Sequence, residues 1–345
     1  MDAKGITKEQ ADAIKNVAEE VQARFKKEAK SLLDRMMQDG MVGTIVAREV
    51  FRNLAMEAEN AQTNTFTTQA YIELWVKNFA HGLKKGYFDN VKDFAKGIKV
   101  KDSLLVVGAG PSLTEEVIES LHKYKGTIYC VNKSLDRLLK HGIVPTVVGV
   151  VHSTDEVLPH FETDLVRKHM KDINVIASNQ IHPSVQDFIV KYADPEKLFW
   201  FHADIVEDFA ANVDNVFLTM VKMPRADTGG NVGVFGVAVG ERLEAKHIGL
   251  VGMDLCFPLE WLRNYSESME SNIVYCPEDK LLFVIPTVFR GYIQCLMNWY
   301  GDRKKNKLIP DKFEILNCTP NGLIYVRRND WIPYLSLDDF MEKFD

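Results

Sequence analysis

The chain has 345 residues, is 46% hydrophobic and 26% charged, and carries a formal charge of −6. It is too long for one core and is expected to hold two or three structural units. The modest negative charge excludes a general affinity for nucleic acid or an anionic membrane, so any anion site has to be local. Five cysteines without a C-x-x-C pair suggest neither a disulfide framework nor a Cys-rich zinc site. The opening MDAKGITKEQ lacks the apolar core of a secretion signal, and no later run approaches the roughly 18 apolar residues of a membrane span. These features lead us to expect a cytoplasmic protein.

From Thr7 to Gln38, Ile14, Val17, Val21, Phe25, Ala29, Leu32 and Met36 recur at three- and four-residue steps, which predicts an amphipathic helix. Two more helices are expected over Thr44 to Gln62 and Thr67 to Lys85. Residues 1–97 thus read as a helical segment whose apolar stripes serve either to cap the main domain or to dock a partner, a second copy of the chain included.

After Val100 the pattern changes. Short apolar runs (LLVV, TIYCV, TVVGVV, NVIAS, LFWFH, VFLTMV and IGLVGMD) alternate with helical stretches at Ser134–His141, Pro183–Tyr192 and Val232–Leu243. Buried strands alternating with helices predict an α/β fold, a Rossmann-like, doubly wound, mostly parallel sheet over residues 98–257. Residues 258–345 read as a small α+β extension. It has a helix from Val288 to Trp299, two short strands around Pro320, Asn321 and Gly322, and a last helix from Leu337 to Phe344.

Ligands in such sheets bind beyond the carboxyl ends of the strands, and here those ends are polar. The first strand runs into Gly108, Ala109, Gly110, Pro111 and Ser112 before a helical TEEVIESLHKY. Glycines allow close backbone approach, and free N–H groups at a helix start attract anions, so this turn is a candidate phosphate site. Its bland counterpart is a simple Gly-Pro connection. Thr228, Gly229, Gly230 and Asn231 precede another helix and form a second candidate for phosphate, base or sugar, or else a packing turn. Asn132 follows the second strand and joins the candidate nucleotide contacts. His152 and Asp155 follow the third strand, His202 the fifth, and Asp254 the last. Asp155 could ligate magnesium, act as a general base or cap a helix. The imidazoles could move a proton near neutral pH. These ends are expected to converge on one cleft.

The dehydrogenase signature is absent, because Pro111, Ser112 and Leu113 stand where a third glycine is needed, and the second strand ends in Asn132 and Lys133 instead of an acid. No P-loop lysine, G-x-S-x-G elbow or H-E-x-x-H occurs. VVGAGPSL, VNKSLDRLLKHGIVP (131–145), the acid in HSTDE, TGGNVG (228–233) and KHIGLVGMDL (246–255) together resemble the MptE-like domain family over about Val100 to Phe257. That family includes the archaeal 6-hydroxymethyl-dihydropterin pyrophosphokinase and the bacterial Maf-type motility-associated glycosyltransferases. The pyrophosphokinase branch carries Asp-Leu-Asp-Gly and His-Ala-His-Gly-Asp runs, of which Thr154-Asp155-Glu156-Val157 and His202-Ala203-Asp204 are partial matches. The tail, with Asn317, Cys318, Thr319, Gly322 and the stretch Leu337 to Phe340, resembles the glycosyltransferase branch. The resemblance therefore implies a nucleotide-dependent transferase closer to that branch, which moves a sugar from a nucleotide-activated donor and needs no metal. A protein acceptor is among the expected partners. The alternatives are a pyrophosphokinase using ATP and Mg²⁺, and a non-catalytic ligand-binding or docking protein.

Overall fold

The computed structural model describes residues 71–204, 217–258, 271–276, 281–305, 313–320, 322–326 and 332–345. The helices expected over Thr7–Gln38 and Thr44–Gln62, and the self-association expected through them, lie outside the described residues. Contacts divide the chain into a unit spanning Met1–Gln69 and a unit spanning Ala70–Asp345. All the described residues belong to the second unit.

Its frame is one eight-stranded sheet in the order β11-β7-β1-β2-β3-β4-β5-β6, every pair parallel. The strands are β1 (Ser103–Val107), β2 (Thr127–Val131), β3 (Val147–Val150), β4 (Asn174–Ser178), β5 (Leu198–Ala203), β6 (Arg225–Ala226), β7 (His247–Val251) and β11 (Glu314–Asn317). A separate antiparallel sheet has the order β8-β10-β9, from β8 (Phe257–Pro258), β9 (Ser271–Cys276) and β10 (Leu281–Pro286). From β1 the chain steps outward strand by strand to β6. It then returns to place β7 on the other side of β1, so the order reverses there, as in doubly wound folds.

Because side chains alternate along a strand, each central strand feeds two cores. Leu105 and Val107 point to one face of the sheet. There they meet a helix through residues 71–84 (α1), α3 (Glu115–Ser120), α4 (Asn132–Lys140), α5 (Asp164–His169), α6 (Pro183–Tyr192) and α10 (Leu337–Phe344). Leu104 and Val106 point to the other face, towards Phe94 of α2 (Phe94–Gly97), α7 (Val232–Arg242) and α8 (Thr287–Lys305). Both faces are covered, which is why the strands read as continuous apolar runs.

Helix α7 lies unusually close to the sheet. A Cβ on Gly236 would collide with the Tyr129 ring, one on Gly240 with Ile248, and the Tyr129 hydroxyl donates to the Val232 carbonyl at 2.9 Å. Helix α1 is pinned over the ends of β3 and β4. Trp75 Nε1 donates to Ser153 Oγ at 2.7 Å, and Asn78 Nδ2 donates to the carbonyls of Ser153 and Gln180 at 2.9 and 2.8 Å.

Two expected elements differ. Residues 217–220 of VFLTMV are helical: Phe217 and Val221 are buried four residues apart while Met220 is 55% exposed, a spacing that suits a helix turn and not a strand. The hairpin expected around Pro320 does not form. Its first arm is β11, which pairs in parallel with β7 and extends the main sheet, and its second arm is a short helix, α9 (Leu323–Val326). The Leu323 N–H donates to the Asp254 carbonyl at 2.8 Å, and that long-range bond replaces the hairpin pairing.

Gly236 provides a test of the α7 packing. On an exposed helix Gly→Ala stabilises by about 1 kcal/mol, whereas overpacking a tight contact costs about 1–3 kcal/mol. Gly236→Ala should therefore lower the urea midpoint; a rise would mean that α7 can lift off Tyr129 without loss.

Candidate functional site

The turn after β1 is zipped onto the turn after β7. The Gly108 N–H donates to the Val251 carbonyl at 2.7 Å, and the Gly110 N–H to the Gly252 carbonyl at 2.8 Å. A Cβ on Gly108 would strike the Gly252 backbone, and one on Gly110 would strike a carboxylate oxygen of Asp254. Both glycines are thus required by the protein's own packing. The expectation that they clear space for a ligand needs this correction: the space beside them is filled by residues 252–254.

Ser112 is likewise engaged. Its hydroxyl donates to Asp254 Oδ2 at 2.7 Å, and its N–H faces Oδ1 and Oδ2 at 3.2 and 3.3 Å. Pro111 separates this residue from Gly110 and supplies no donor. Helix α3 starts only at Glu115, capped by Thr114, so the helix end is displaced from the glycine turn. Asp254 is 5% exposed, and burial pushes its carboxyl up from 3.8 to about 6, partly opposed by the Ser112 hydrogen bonds.

The second glycine turn reaches the same place. Gly108 and Gly233 would each collide with the Met253 side chain if they carried a Cβ, so Met253 sits between the start of α7 and the turn after β1. Gly229 and Gly230 have φ of 55° and 70°, values that favour glycine. The Gly229 N–H donates to Asp227 Oδ1 at 2.8 Å, the Gly230 N–H to Thr228 Oγ1 at 3.3 Å, and the Gly233 N–H to Asn231 Oδ1 at 2.8 Å. Three turns therefore meet where the strand order reverses. Asn132, buried at the start of α4, opens the neighbouring β2 end.

The other candidates lie elsewhere along the sheet edge. At about 4.8 Å per strand, β3 is about 14 Å and β5 about 24 Å from β7 along the sheet. Asp155 is exposed at the start of a 3₁₀ turn (Asp155–His160), and Thr154 occupies the cap position, so Asp155 is not the cap. The His152 side chain is 47% exposed, with Glu156 at 3.8 Å. His202 is fully buried, its Nδ1 3.1 Å from Asn179 Nδ2 and 3.2 Å from Asn179 Oδ1, with its ring edge on Phe217. Strand order sets the β1, β2 and β7 ends side by side and the β3 and β5 ends further along the sheet edge.

No three His, Cys, Asp or Glu side chains gather closely enough to hold a metal ion among the described residues. Asp204, one partial match to the pyrophosphokinase pattern, is tied to Arg225 Nε at 2.6 Å. A trough of about 780 Å³ involving Lys222, Arg225 and Arg242 lies by the start of β6 and the end of α7, away from the carboxyl strand ends. A smaller cavity of about 260 Å³ adjoins Ser112 and Gly252.

The family described as 6-hydroxymethylpterin diphosphokinase MptE-like matches residues 75–260, more than half of the chain. The chain belongs to the MptE-like family. The match spans all three turns around Met253 and ends just past β8, so the MptE-like region includes α1 as well as the sheet up to β7. Among solved structures, one of a MAf glycosyltransferase from Magnetospirillum magneticum AMB-1 resembles the chain with a TM-score of 0.47 and 17% identity, over 65% of this chain and 33% of that one. The chain thus spans about a third of that protein's length, and a likeness at that level says nothing about the reaction. Comparison with curated proteins gives no match. No helix among the described residues is long and apolar enough to cross a membrane.

Asp254, one of two acids that the sequence singles out, is the one whose side chain the structure ties to the turn after β1. The available signal was its position at the end of a buried strand, in VGMD.

Burial sets the sign of its pH dependence. With its folded pKa raised to about 6 from 3.8, Asp254 favours the fold when protonated, and that contribution is lost as pH rises from about 4 through about 6. The difference of about two units corresponds to roughly 3 kcal/mol. Asp254→Asn should therefore melt higher than the parent at pH 8, with the gap closing as the pH is lowered towards 4. A gap that does not change with pH would mean that the carboxylate is well solvated.

Proposed function

We propose that this chain is a nucleotide-dependent transferase that moves a sugar from a nucleotide-activated donor, with the donor phosphate held between the turns after β1 and β7. The observation that carries this reading is the Ser112–Asp254 contact. An N–H and an O–H converge on an anionic oxygen at the point in a doubly wound sheet where ligands bind. The protein already places a carboxylate there, so the donors are arranged for an anion. A phosphate carries more charge and more acceptor oxygens than a carboxylate, and would replace Asp254 on Ser112. Once displaced, Asp254 loses the Ser112 hydrogen bonds that hold its pKa down, so its carboxylate becomes a stronger base for an acceptor hydroxyl. The start of α7, where Gly233 packs on Met253 just after the Gly229–Gly230–Asn231 turn, would face the remainder of the nucleotide.

Sugar transfer is favoured over diphosphate transfer because the latter builds charge that carboxylate-held Mg²⁺ normally offsets. Here Asp204 is neutralised by Arg225 and Asp155 stands about three strands from Asp254. The second reading, a diphosphokinase using ATP and Mg²⁺, has the family description in its favour.

Two measurements test the assignment. Cytidine nucleotides should raise the melting temperature in EDTA while ATP has little effect. If only ATP with Mg²⁺ stabilises the protein and a hydroxymethylpterin is consumed with it, the diphosphokinase reading takes over. Removing the internal competitor should also act opposite to removing the donor: Asp254→Ala should bind nucleoside monophosphate about tenfold more tightly, and with little turnover, whereas Ser112→Ala should bind it more weakly. Weaker binding by both variants would sink the displacement of Asp254.

A further inference from the structure

We propose that the cavity of about 260 Å³ between α3 and α10 is a binding subsite for a protonated amine. Its walls come from the first turns of α3, the turn after β11 and the first turn of α10. At about 30 Å³ per water it has room for roughly eight or nine water molecules, enough for an aminated ring or an alkylammonium chain.

The hydrogen-bond inventory of the walls sets the chemistry. Four aliphatic hydroxyls line the cavity, and each spends its proton inside the protein. Ser112 donates to Asp254 at 2.7 Å and Ser120 to the Val117 carbonyl at 2.7 Å. Thr319 donates to the Leu250 carbonyl at 3.3 Å and Ser336 to Asp339 at 2.5 Å. Thr319 and Ser336 also accept the Met253 and Asp339 N–H groups at 3.4 and 3.2 Å, so what the hydroxyls retain for a guest is their remaining lone pairs.

The other polar walls are the carboxylates of Glu116 and Asp338, both exposed, and no described Lys, Arg or His side chain lines the cavity. Apart from Tyr334, the wall side chains therefore offer acceptors rather than donors, and their charge is negative. A phosphate or carboxylate guest would meet repulsion from Glu116 and Asp338. An ammonium group brings three donors and a positive charge. Tyr334, 37% exposed and in a T-shaped pair with Tyr325 at 5.0 Å, adds an aromatic ring at the rim.

This subsite touches the nucleotide crevice at Ser112 and Gly252 but does not depend on it. A transfer reaction needs a second substrate next to the first, and the position of the cavity fits an amine-bearing one.

Binding can be read without any nucleotide, by saturation-transfer NMR on the full chain at neutral pH with glucosamine, glucose and glucose 6-phosphate as probes. They share one ring and differ in charge. Glucosamine should bind, glucose several-fold more weakly and glucose 6-phosphate not at all. Methylammonium should displace glucosamine where glucose does not. The double substitution Glu116→Gln and Asp338→Asn, both on exposed side chains, should keep the melting temperature and any nucleotide-induced shift while losing glucosamine. Equal binding of the three sugars, binding of none, or undiminished glucosamine binding by the double variant would overturn the proposal. Loss of the nucleotide shift alone would count against the proposed function and not against this subsite.

Discussion

The parallel pairing of β1 with β7, carried past the strand ends, is the constraint on which the candidate site depends. Two backbone bonds, Gly108 to Val251 and Gly110 to Gly252, continue the ladder into the turns. A side chain at either glycine would prevent it. Once the turns are joined in this way, the residue after Met253 has to lie under Ser112, and Asp254 is buried as a consequence. The third turn is brought in by α7, whose glycines let it settle on Tyr129 and Ile248 with its first turn against Met253. The chain thus uses glycine here for close approach between its own segments, a role as demanding as contact with a ligand and indistinguishable from it in the sequence.

This explains what could be read in advance and what could not. The sheet was legible because strands buried on both faces are continuous apolar runs, and helix bounds such as Pro183–Tyr192 and Leu337–Phe344 follow from a proline at the first helical position and from a serine cap. Polar residues at the strand ends were legible too. Strand order was not, because it is a long-range property: nothing local in LFWFHAD says that β5 pairs four places from β1, which removes His202 from the crevice. The Ser112–Asp254 contact spans 142 residues and leaves no periodic trace. The β11 pairing failed for the same reason. EILN and LIYV around Pro-Asn-Gly satisfy the local rules for a hairpin, yet the open edge of β7 and the Asp254 carbonyl offered partners that the local reading could not weigh.

Asp254 also sets a cost against the fold. A carboxylate at 5% exposure, held by one serine, is less favourable to the fold than a neutral side chain of the same shape. By contrast, Asp204, paired with Arg225, and Asp187, held by His81 and Tyr87 at 2.8 and 2.7 Å, have partners that balance them.

Ser112 finally divides the region electrostatically. Its N–H and hydroxyl proton are directed at Asp254 in the crevice, while the lone pairs of the same hydroxyl belong to a wall made of acceptors and carboxylates. An anion attracted to the first side would be repelled on the second, and a cation the reverse. Two substrates of opposite charge would therefore sort themselves to the two sides of one residue without either side needing a basic side chain. The arrangement follows from a proton that can be donated only once: while it is directed at Asp254, the Ser112 hydroxyl can only accept on the side of the neighbouring wall.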